Sequence, residues 1–336
     1  MTRKPIFWII CFVLFIGSII FTLRYFSKAY PIVSLDLEMD RQTAIQKARE
    51  LADQYEWGPE DFKQAAIFRV DDEVKNYVEL EMGGAEAFTQ LIKEELYYPY
   101  TWRVRHFKEN ETKETLIRFT PKGQPYGFVE KLPEDEPGAR LSESRAQNIA
   151  EKTVQEKWGV NLKDFKLIEK SQEVLPSERI DHTFVYERPD VQIGEAHYRL
   201  RLKVGGDSLT ELTHFIKIPE AFTREYQEMR SANNTISTAA LVAAVVLYII
   251  GGCLVGLFLL LKQQWVLWRK PLFWGLFVAF MQVLAQINLW PLAWMSYDTA
   301  ISSQWFLIQQ IVQLLLIFLG EGLLLTITFM AAESLT

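Results

Sequence analysis

Polar side chains inside long apolar segments are the residues of this sequence best placed to do chemistry. Glu321 is the one acidic residue in such a segment, and Gln313 lies in the same segment. Gln282 and Gln286 lie in the preceding apolar segment and are candidate hydrogen-bond partners. A carboxyl group in hydrocarbon costs about 2.5 kcal/mol or more, so it normally faces a bundle interior or a cavity. Glu321 is therefore either a proton, ion or active-site residue, or a hydrogen-bonded packing residue.

The remaining candidates for chemistry lie outside the apolar segments. All four histidines (His106, His182, His197 and His214) are there, without the paired spacing of metal ligands. No G-x-S-x-G pattern surrounds any serine. The sequence therefore predicts no metal site, no cofactor and no catalytic residue on these 336 residues.

Four apolar segments are long enough to cross a bilayer as helices, which needs about 17–25 residues. They comprise residues 6–23, 239–261, 271–295 and 305–330. The first follows basic residues, so a cleaved signal peptide is a competing interpretation. An uncleaved anchor is favoured, because no small-x-small cleavage site follows and Arg24 is succeeded by the interfacial aromatic residues Tyr25 and Phe26.

Basic residues are distributed unequally between the two sides of these segments. Arg3 and Lys4 precede the first segment, and the connection 262–270 contains three basic residues together with Trp265. The connection before the last segment contains no basic residue. Since basic residues accumulate on the cytoplasmic side, the sequence predicts a multi-pass protein of the cytoplasmic (inner) membrane. Both chain ends are then cytoplasmic, and residues 30–235 are extracytoplasmic.

The polar part of the chain is acidic. Residues 30–238 contain 29 basic and 39 acidic side chains, a net charge of −10. Such acidity argues against a nucleic-acid partner, which needs basic patches. The two cysteines, Cys11 and Cys253, both lie in apolar segments, so no disulfide holds the polar part together. The expected partners are the lipid bilayer and a protein or peptide ligand.

The polar part also contains an internal repeat. Each copy begins with a helical pattern that opens at an N-capping residue, Asp40 or Ser142. Each pattern closes at a Trp-Gly pair whose glycine, Gly58 or Gly159, suits a left-handed helix end. The two tryptophans are 101 residues apart. Strand patterns and turn residues follow each helix, so each copy is predicted to be a helix followed by an antiparallel meander.

The predicted fold is therefore α+β, with two helix-plus-meander repeats on a membrane part of four transmembrane helices. The predicted strands are 102–107, 115–120, 126–132, 198–204 and 209–218, and a helix is predicted over 85–96. The predicted regions are an anchor (1–29), a first repeat (30–138), a second repeat (139–220), a helical connector (221–237) and the membrane part (238–336).

Two resemblances to known families follow from these patterns. A helix, a Trp-Gly pair and paired strands with a glycine turn such as Gly205-Gly206 resemble the PepSY type of small extracytoplasmic domain. That resemblance implies a domain that regulates or binds proteases. The stretches 179–189 (RIDHTFVYERP) and 218–233 (IPEAFTREYQEMRSAN) resemble an extension of bacterial CPBP (CAAX-processing type) intramembrane proteases. This second resemblance covers residues 140–336.

The sequence departs from the catalytic pattern of that protease family, which is a Glu-Glu-x-x-x-Arg element with later histidines on membrane helices. The pair Glu94-Glu95 lies in the polar part and is followed by Leu-Tyr-Tyr-Pro, without the arginine. The resemblance therefore implies that catalytic helices follow residue 336 and that this portion is non-catalytic, sensing or regulatory. Two other functions stay open. One is a transporter or channel component with Glu321 in the ion or proton path, and the other is a structural anchor in the envelope.

Overall fold

The structure, a computed structural model, describes residues 5–264 and 267–333 and divides into two compact units. The first unit contains the part of the chain up to Gly58, together with Ala66–His106 and Lys113–Pro219. The second unit contains Pro59–Ala65, Phe107–Thr112 and the part from Glu220 onwards. Arg3, Lys4 and Trp265, which enter the orientation argument, lie outside the described residues.

The first part of the chain contains five α-helices and eight strands among the described residues. The helices are α1 (Pro5–Ala29), α2 (Arg41–Tyr55), α3 (Asp72–Glu81), α4 (Ala85–Glu94) and α5 (Glu143–Trp158). The strands are β1 (Lys63–Val70), β2 (Tyr100–Phe107), β3 (Glu114–Phe119), β4 (Pro125–Lys131), β5 (Lys166–Val174), β6 (Ile180–Ile193), β7 (Ala196–Gly205) and β8 (Ser208–Lys217). The fold outside the long apolar helices is therefore α+β.

All eight strands belong to one sheet, in the order β1-β2-β3-β4-β8-β7-β6-β5. Each repeat of the sequence contributes four consecutive strands, and the last strand of each repeat pairs with the last strand of the other. In that antiparallel pair Phe128 lies opposite Leu212 and Val129 lies opposite Glu211. The two predicted meanders are thus halves of a single sheet, and β1 and β5 are its two edges.

The helix that opens each repeat buries one line of small residues. In α2 these residues are Ala44, Ala48 and Ala52, and in α5 they are Ala146, Ala150 and Val154. A four-residue spacing keeps them on one helix face, and their small size permits a close approach of backbones. The Trp-Gly pairs also meet: the Trp57 and Trp158 rings are 6.0 Å apart, and both stack on Phe128 at the junction of the two repeats.

The helix caps agree with the sequence in part. Asp40 caps α2 by accepting a hydrogen bond from the Thr43 N–H at 2.7 Å, and Gly159 closes α5 in the left-handed conformation. The prediction that Gly58 closes α2 is wrong, because Glu56 is the left-handed residue there. Trp57 follows at once and turns inward onto Phe128, 4.0 Å between ring centroids. Ser142 is in the N-cap position, but its side chain makes no capping hydrogen bond.

Several elements are not anticipated by the sequence patterns, namely β1, α3, β5 and β6. Strand β5 is exposed along almost its whole length and mixes charged with apolar residues, so no alternation marks it. Strand β6 includes Pro189 and a register irregularity between Glu187 and Gln192. The helix predicted over 85–96 is α4, which ends at Glu94.

The second unit contains the helices that follow the sheet. They are α6 (Glu220–Val246), a π-helical segment (Leu247–Leu254), α7 (Val255–Gln263), α8 (Arg269–Ala293) and α9 (Ser303–Glu333). The first three form one continuous helix of 44 residues, which spans roughly 66 Å at the helical rise of 1.5 Å per residue. Together with α1, the described residues thus contain four helices long and apolar enough to cross a membrane.

Candidate functional site

The polar candidates on the long apolar helices are not joined by hydrogen bonds. Glu321 is half-buried on α9, whereas Gln313 on α9 and both Gln282 and Gln286 on α8 have exposed side chains. Among the described residues, none of these four side chains has a hydrogen-bond partner. The expected glutamine partners of Glu321 therefore make no hydrogen bond to it, and their role as a site stays a prediction.

Helices α8 and α9 approach most closely at small residues. A Cβ on Gly275 would lie 2.5 Å from the Thr326 Oγ1 and 3.1 Å from the Gly322 carbonyl oxygen. The Thr326 hydroxyl donates to that same carbonyl at 2.6 Å. Gly322 in turn faces Ala279. Small residues at a helix crossing let two membrane helices pack backbone to backbone. Gly320 has open space beside it and takes no part in this crossing.

A polar contact that the sequence does not indicate joins α9 to the π-helical segment. The Thr328 hydroxyl is hydrogen-bonded to the Tyr248 hydroxyl and lies 3.7 Å from the Cys253 Sγ. Beyond it, a Cβ on Gly256 would lie 2.9 Å from the Ala331 Cβ. π-Helical turns often occur at functional positions, and Tyr248 and Cys253 both lie within this one. Threonine and tyrosine are common in apolar helices, so only the structure identifies the contact.

The connection between α8 and α9 packs against two short segments of the same unit, Pro59–Ala65 and Phe107–Thr112. Tyr297 of this connection and Phe306 of α9 form a buried cluster with Ala65 and Phe107. The Phe107 and Tyr297 rings are 5.5 Å apart, and the Asn110 N–H donates to the Thr299 carbonyl at 2.8 Å. The start of β1 and the β2–β3 turn are therefore held to the connection by both apolar and polar contacts.

Glu109, in the same turn, binds the beginning of α9. Its Oε2 accepts hydrogen bonds from the Ser303 hydroxyl at 2.7 Å and from the Ser303 N–H at 3.0 Å. Ser303 is the first residue of α9, so the carboxylate satisfies a helix N–H that has no partner within the helix. These hydrogen bonds hold the pKa of Glu109 below its usual value.

In the first unit, strands β2 and β3 place two arginines directly opposite each other. Arg103 and Arg118 are cross-strand partners, so their side chains lie on the same face of the sheet. Both residues are half-buried, and both Nε atoms are buried without a hydrogen-bond partner. Burial and the charge of Arg118 lower the pKa of Arg103. We call Arg103 and Arg118 the arginine pair.

The arginine pair differs from other basic residues on that face. Neither member has a carboxylate within ion-pair distance anywhere in the part of the chain that the structure describes. Other basic residues on the face each have one: Arg105 with Glu114 at 2.6 Å, Arg201 with Glu211 at 3.7 Å and Lys203 with Asp181 at 3.1 Å. Unpaired charges at the arginine pair are thus a local exception.

A cluster of tyrosines surrounds His214. The Tyr198 hydroxyl and the His214 Nδ1 share a hydrogen bond of 2.6 Å, and the Tyr126 ring stacks on the imidazole at 4.4 Å. Tyr97 packs edge-on against Tyr198 and donates its hydroxyl proton to Asp71 at 2.8 Å. Burial, with a contribution from the Arg118 charge, lowers the pKa of His214 to about 3. The imidazole is therefore neutral at physiological pH, and the cluster holds strands together without a charged base.

The remaining candidates from the sequence, the histidines and the pair Glu94-Glu95, lie on strands or at the end of α4. All four histidines lie on strands, and burial lowers the pKa of His106 to about 4. Glu95 pairs with Lys122 at 2.5 Å just beyond α4. Within residues 5–264 and 267–333, no group of three or more His, Cys, Asp or Glu side chains could hold a metal ion.

The insertion formed by α3 and α4 borders two cavities. One of about 240 Å³ lies between the end of α4 and the segment around Tyr98 and Lys122. The other, of about 430 Å³, lies between both helices and the end of β6, with mostly apolar residues such as Met82 and Ile193. The second cavity is within the usual volume range of small-ligand sites.

Comparison of the chain with models of protein families, with curated proteins and with solved structures finds no match.

Proposed function

We propose that residues 30–220 form an extracytoplasmic sensing or regulatory module, which binds a protein or peptide segment and is held at the cytoplasmic membrane by four helices. The module itself is non-catalytic in this proposal. One observation carries it most strongly: the sheet ends in a long, exposed edge strand, β5.

An exposed edge strand offers unpaired backbone N–H and C=O groups to another extended segment. Proteins that recognise peptides by strand addition use such an edge for affinity and the alternating side chains for specificity. Strand β5 has nine residues, with Ile168 and Val174 among the exposed apolar side chains. The strand also carries charged side chains, including Lys166 and Lys170, and charged residues on an edge strand disfavour aggregation through that edge.

The connection to the membrane helices supports a regulatory role. Only two residues separate the end of β8 from the beginning of α6, so a change in the sheet has a short covalent route to the 44-residue helix. The resemblance of 179–189 and 218–233 to an extension of CPBP-type intramembrane proteases makes such a protease the enzyme that the module would regulate. The extracytoplasmic placement rests on the distribution of basic residues.

The proposal can be tested on the full chain in lipid nanodiscs. The probe is fluorescently labelled α-lactalbumin that has been reduced and carbamidomethylated, which exposes extended backbone. We expect a saturable increase in fluorescence anisotropy. In an edge strand, consecutive N–H groups point alternately toward the neighbouring strand and away from the sheet. Of Lys170→Pro and Ser171→Pro, one therefore removes an N–H that points away from the sheet. That variant leaves the hydrogen bonds between β5 and β6 intact.

Thermal unfolding identifies which of these two variants keeps the stability of the unsubstituted protein. That variant should lose most of the binding, whereas Ser171→Ala should retain it. Undiminished binding by the folded proline variant, or no binding by the unsubstituted chain, would contradict recognition at β5.

A further inference from the structure

The arginine pair makes no ion pair among the described residues, and the Asp71 carboxylate acts on Arg103 only as a more distant opposite charge. Like charges directly opposite each other on a sheet are destabilising, and a buried donor without a partner adds a further penalty. Arg103 and Arg118 combine both costs, since they are cross-strand partners and both Nε atoms are buried and unpartnered. Both side chains nevertheless remain partly accessible to solvent. Guanidinium groups without an ion pair favour the binding of an external anion.

The next position along the same row of the sheet is a glycine. Gly127 lies opposite Arg118 on β4, and a Cβ at Gly127 would lie 2.4 Å from the Leu212 carbonyl oxygen. No side chain therefore rises between Arg118 and β8. The Leu212 carbonyl oxygen occupies the space beside Gly127, so the backbones of β4 and β8 approach each other closely next to Arg118.

A third unsatisfied donor lies on β8, across Gly127 from Arg118. Thr213 follows Leu212 on β8, and its Cα lies 4.0 Å from the position of a Cβ on Gly127. Thr213 is 8% exposed, and its Oγ1 has no hydrogen-bond partner. Because Thr213 is the cross-strand partner of Arg201, its side chain lies on the same face as the arginine pair. Unsatisfied donors thus lie on the same face of the sheet on both sides of Gly127.

We propose that the arginine pair binds a carboxylate of the peptide ligand, with Thr213 at the border of the site. Guanidinium groups match the planar, two-oxygen geometry of a carboxylate. The net charge of −10 over residues 30–238 repels extended polyanions, so a single carboxylate fits the site better than a nucleic acid or an anionic lipid surface. This assignment rests on the proposed peptide-binding function and names the chemical group that the peptide supplies.

Thermal unfolding of the full chain in nanodiscs tests the site with acetate as the probe and chloride at equal ionic strength as the reference. Acetate should raise the unfolding temperature by several degrees relative to chloride. Arg103→Gln and Arg118→Gln should abolish this increase. In chloride, each should unfold at a higher temperature than the unsubstituted chain, since the repulsion is relieved. A purely structural role for the arginines predicts the opposite change in chloride.

Arg201→Gln is the matched control, because Arg201 lies on the same face but is already paired with Glu211. It should keep the acetate response. An alanine tetrapeptide with a free C-terminus should bind at least tenfold more tightly than its C-terminal amide, and this difference should vanish in Arg118→Gln. Equal binding of both peptides, together with a phosphate response as large as that of acetate, would assign the pair to a free inorganic anion and overturn the proposal.

The two proposals fail separately. If acetate and the tetrapeptide have no effect while unfolded α-lactalbumin still binds at β5, the carboxylate site is wrong and strand addition stands. If the free tetrapeptide binds through the arginine pair but the β5 variant does not affect α-lactalbumin, the carboxylate site stands and recognition at β5 is wrong.

Discussion

The two repeats share an architecture but differ in how their charges are satisfied. Each consists of a helix with a buried line of small residues and four strands, and they join through β4 and β8. The repeats can be aligned through their matching ends, 131–134 (KLPE) and 217–220 (KIPE). This alignment places Gly127 at the position of Thr213. Their cross-strand partners, Arg118 and Arg201, are then equivalent.

The neighbours of these equivalent arginines are different. Arg118 faces Arg103, whereas the corresponding partner of Arg201 on β6 is the apolar residue Val185. Arg201 also has Glu211 within 3.7 Å. The second repeat therefore satisfies a charge that the first leaves open. The two halves of the sheet share the register of this row but differ in the partners of its arginines.

The equivalent hairpin turns differ as well. In the first repeat, the β2–β3 turn belongs to the unit of the membrane helices, where Glu109 binds Ser303. In the second repeat, the β6–β7 turn is held by the insertion helix α3, since the Tyr77 hydroxyl accepts a hydrogen bond from the Glu195 N–H at 2.9 Å. The two equivalent turns thus belong to different compact units.

The largest expected loss of stability is at Phe128, which contacts the tryptophans of both repeats. Phe128 is 1% exposed and lies between Trp57 and Trp158. Phe128→Ala should destabilise the sheet by about 3–5 kcal/mol, the usual cost of removing a buried ring. Urea unfolding followed by tryptophan fluorescence measures it. Phe215→Ala, at a half-buried position, should cost far less. Equal costs would mean that the two repeats do not depend on their junction.

Exchanging the partners of the equivalent arginines should change stability in opposite directions. Val185 is 5% exposed, so Val185→Arg places an uncompensated charge opposite Arg201 and should cost about 2–4 kcal/mol. Arg103→Val gives the first repeat the residue of the second and should gain about 1 kcal/mol. Urea unfolding compares the two variants. A loss of stability in Arg103→Val would show that the arginine pair is a structural contact.

A smaller loss of stability is expected when the β6–β7 hairpin of the second repeat loses its hydrogen bond to Tyr77. Tyr77→Phe removes the acceptor of the Glu195 N–H and should cost about 1 kcal/mol in chemical unfolding. Tyr226→Phe is a control in which the hydroxyl has no hydrogen-bond partner among the described residues. The prediction fails if both variants have the same stability.

The turn of the first repeat should respond to pH. A carboxyl whose pKa is depressed in the folded state stabilises the fold above its unfolded pKa, and this stabilisation is lost as the pH falls through the folded pKa. Hydrogen bonds from Ser303 depress the pKa of Glu109 below its usual 4.5. Lowering the pH from neutral to below 4.5 should therefore lower the unfolding temperature less in Glu109→Gln than in the unsubstituted chain.

Asp190, near the hairpin of the second repeat, has its pKa depressed by Arg188 instead. Asp190→Asn therefore provides the matched comparison. If only the first repeat is coupled to the helices, Glu109→Gln alone should alter labelling of a cysteine placed in the α8–α9 connection at acid pH. Identical labelling of both variants would remove that distinction.

The sequence predicts those parts of the fold whose signals are local. Asp40 caps α2 as expected, and the apolar segments are helices because their composition alone requires it. The exposed strand β5 is not predictable from alternation, since both of its faces meet solvent. The arginine pair is beyond local patterns too: Arg103 and Arg118 become neighbours only through the β2–β3 register. Glu56 rather than Gly58 closes α2 because the packing of Trp57 on Phe128 decides where the chain turns.

The central claim, that the duplicated sheet lies outside the cytoplasm, is tested most directly by cysteine labelling in intact cells. Cys11→Ala and Cys253→Ala remove the native thiols, and single cysteines are introduced at the exposed positions Asp135, Asp207 and Leu267. The account predicts that a membrane-impermeant maleimide labels Asp135→Cys and Asp207→Cys in intact cells, and Leu267→Cys only after permeabilisation. Labelling of Leu267→Cys in intact cells, with the two sheet positions protected until lysis, would contradict it.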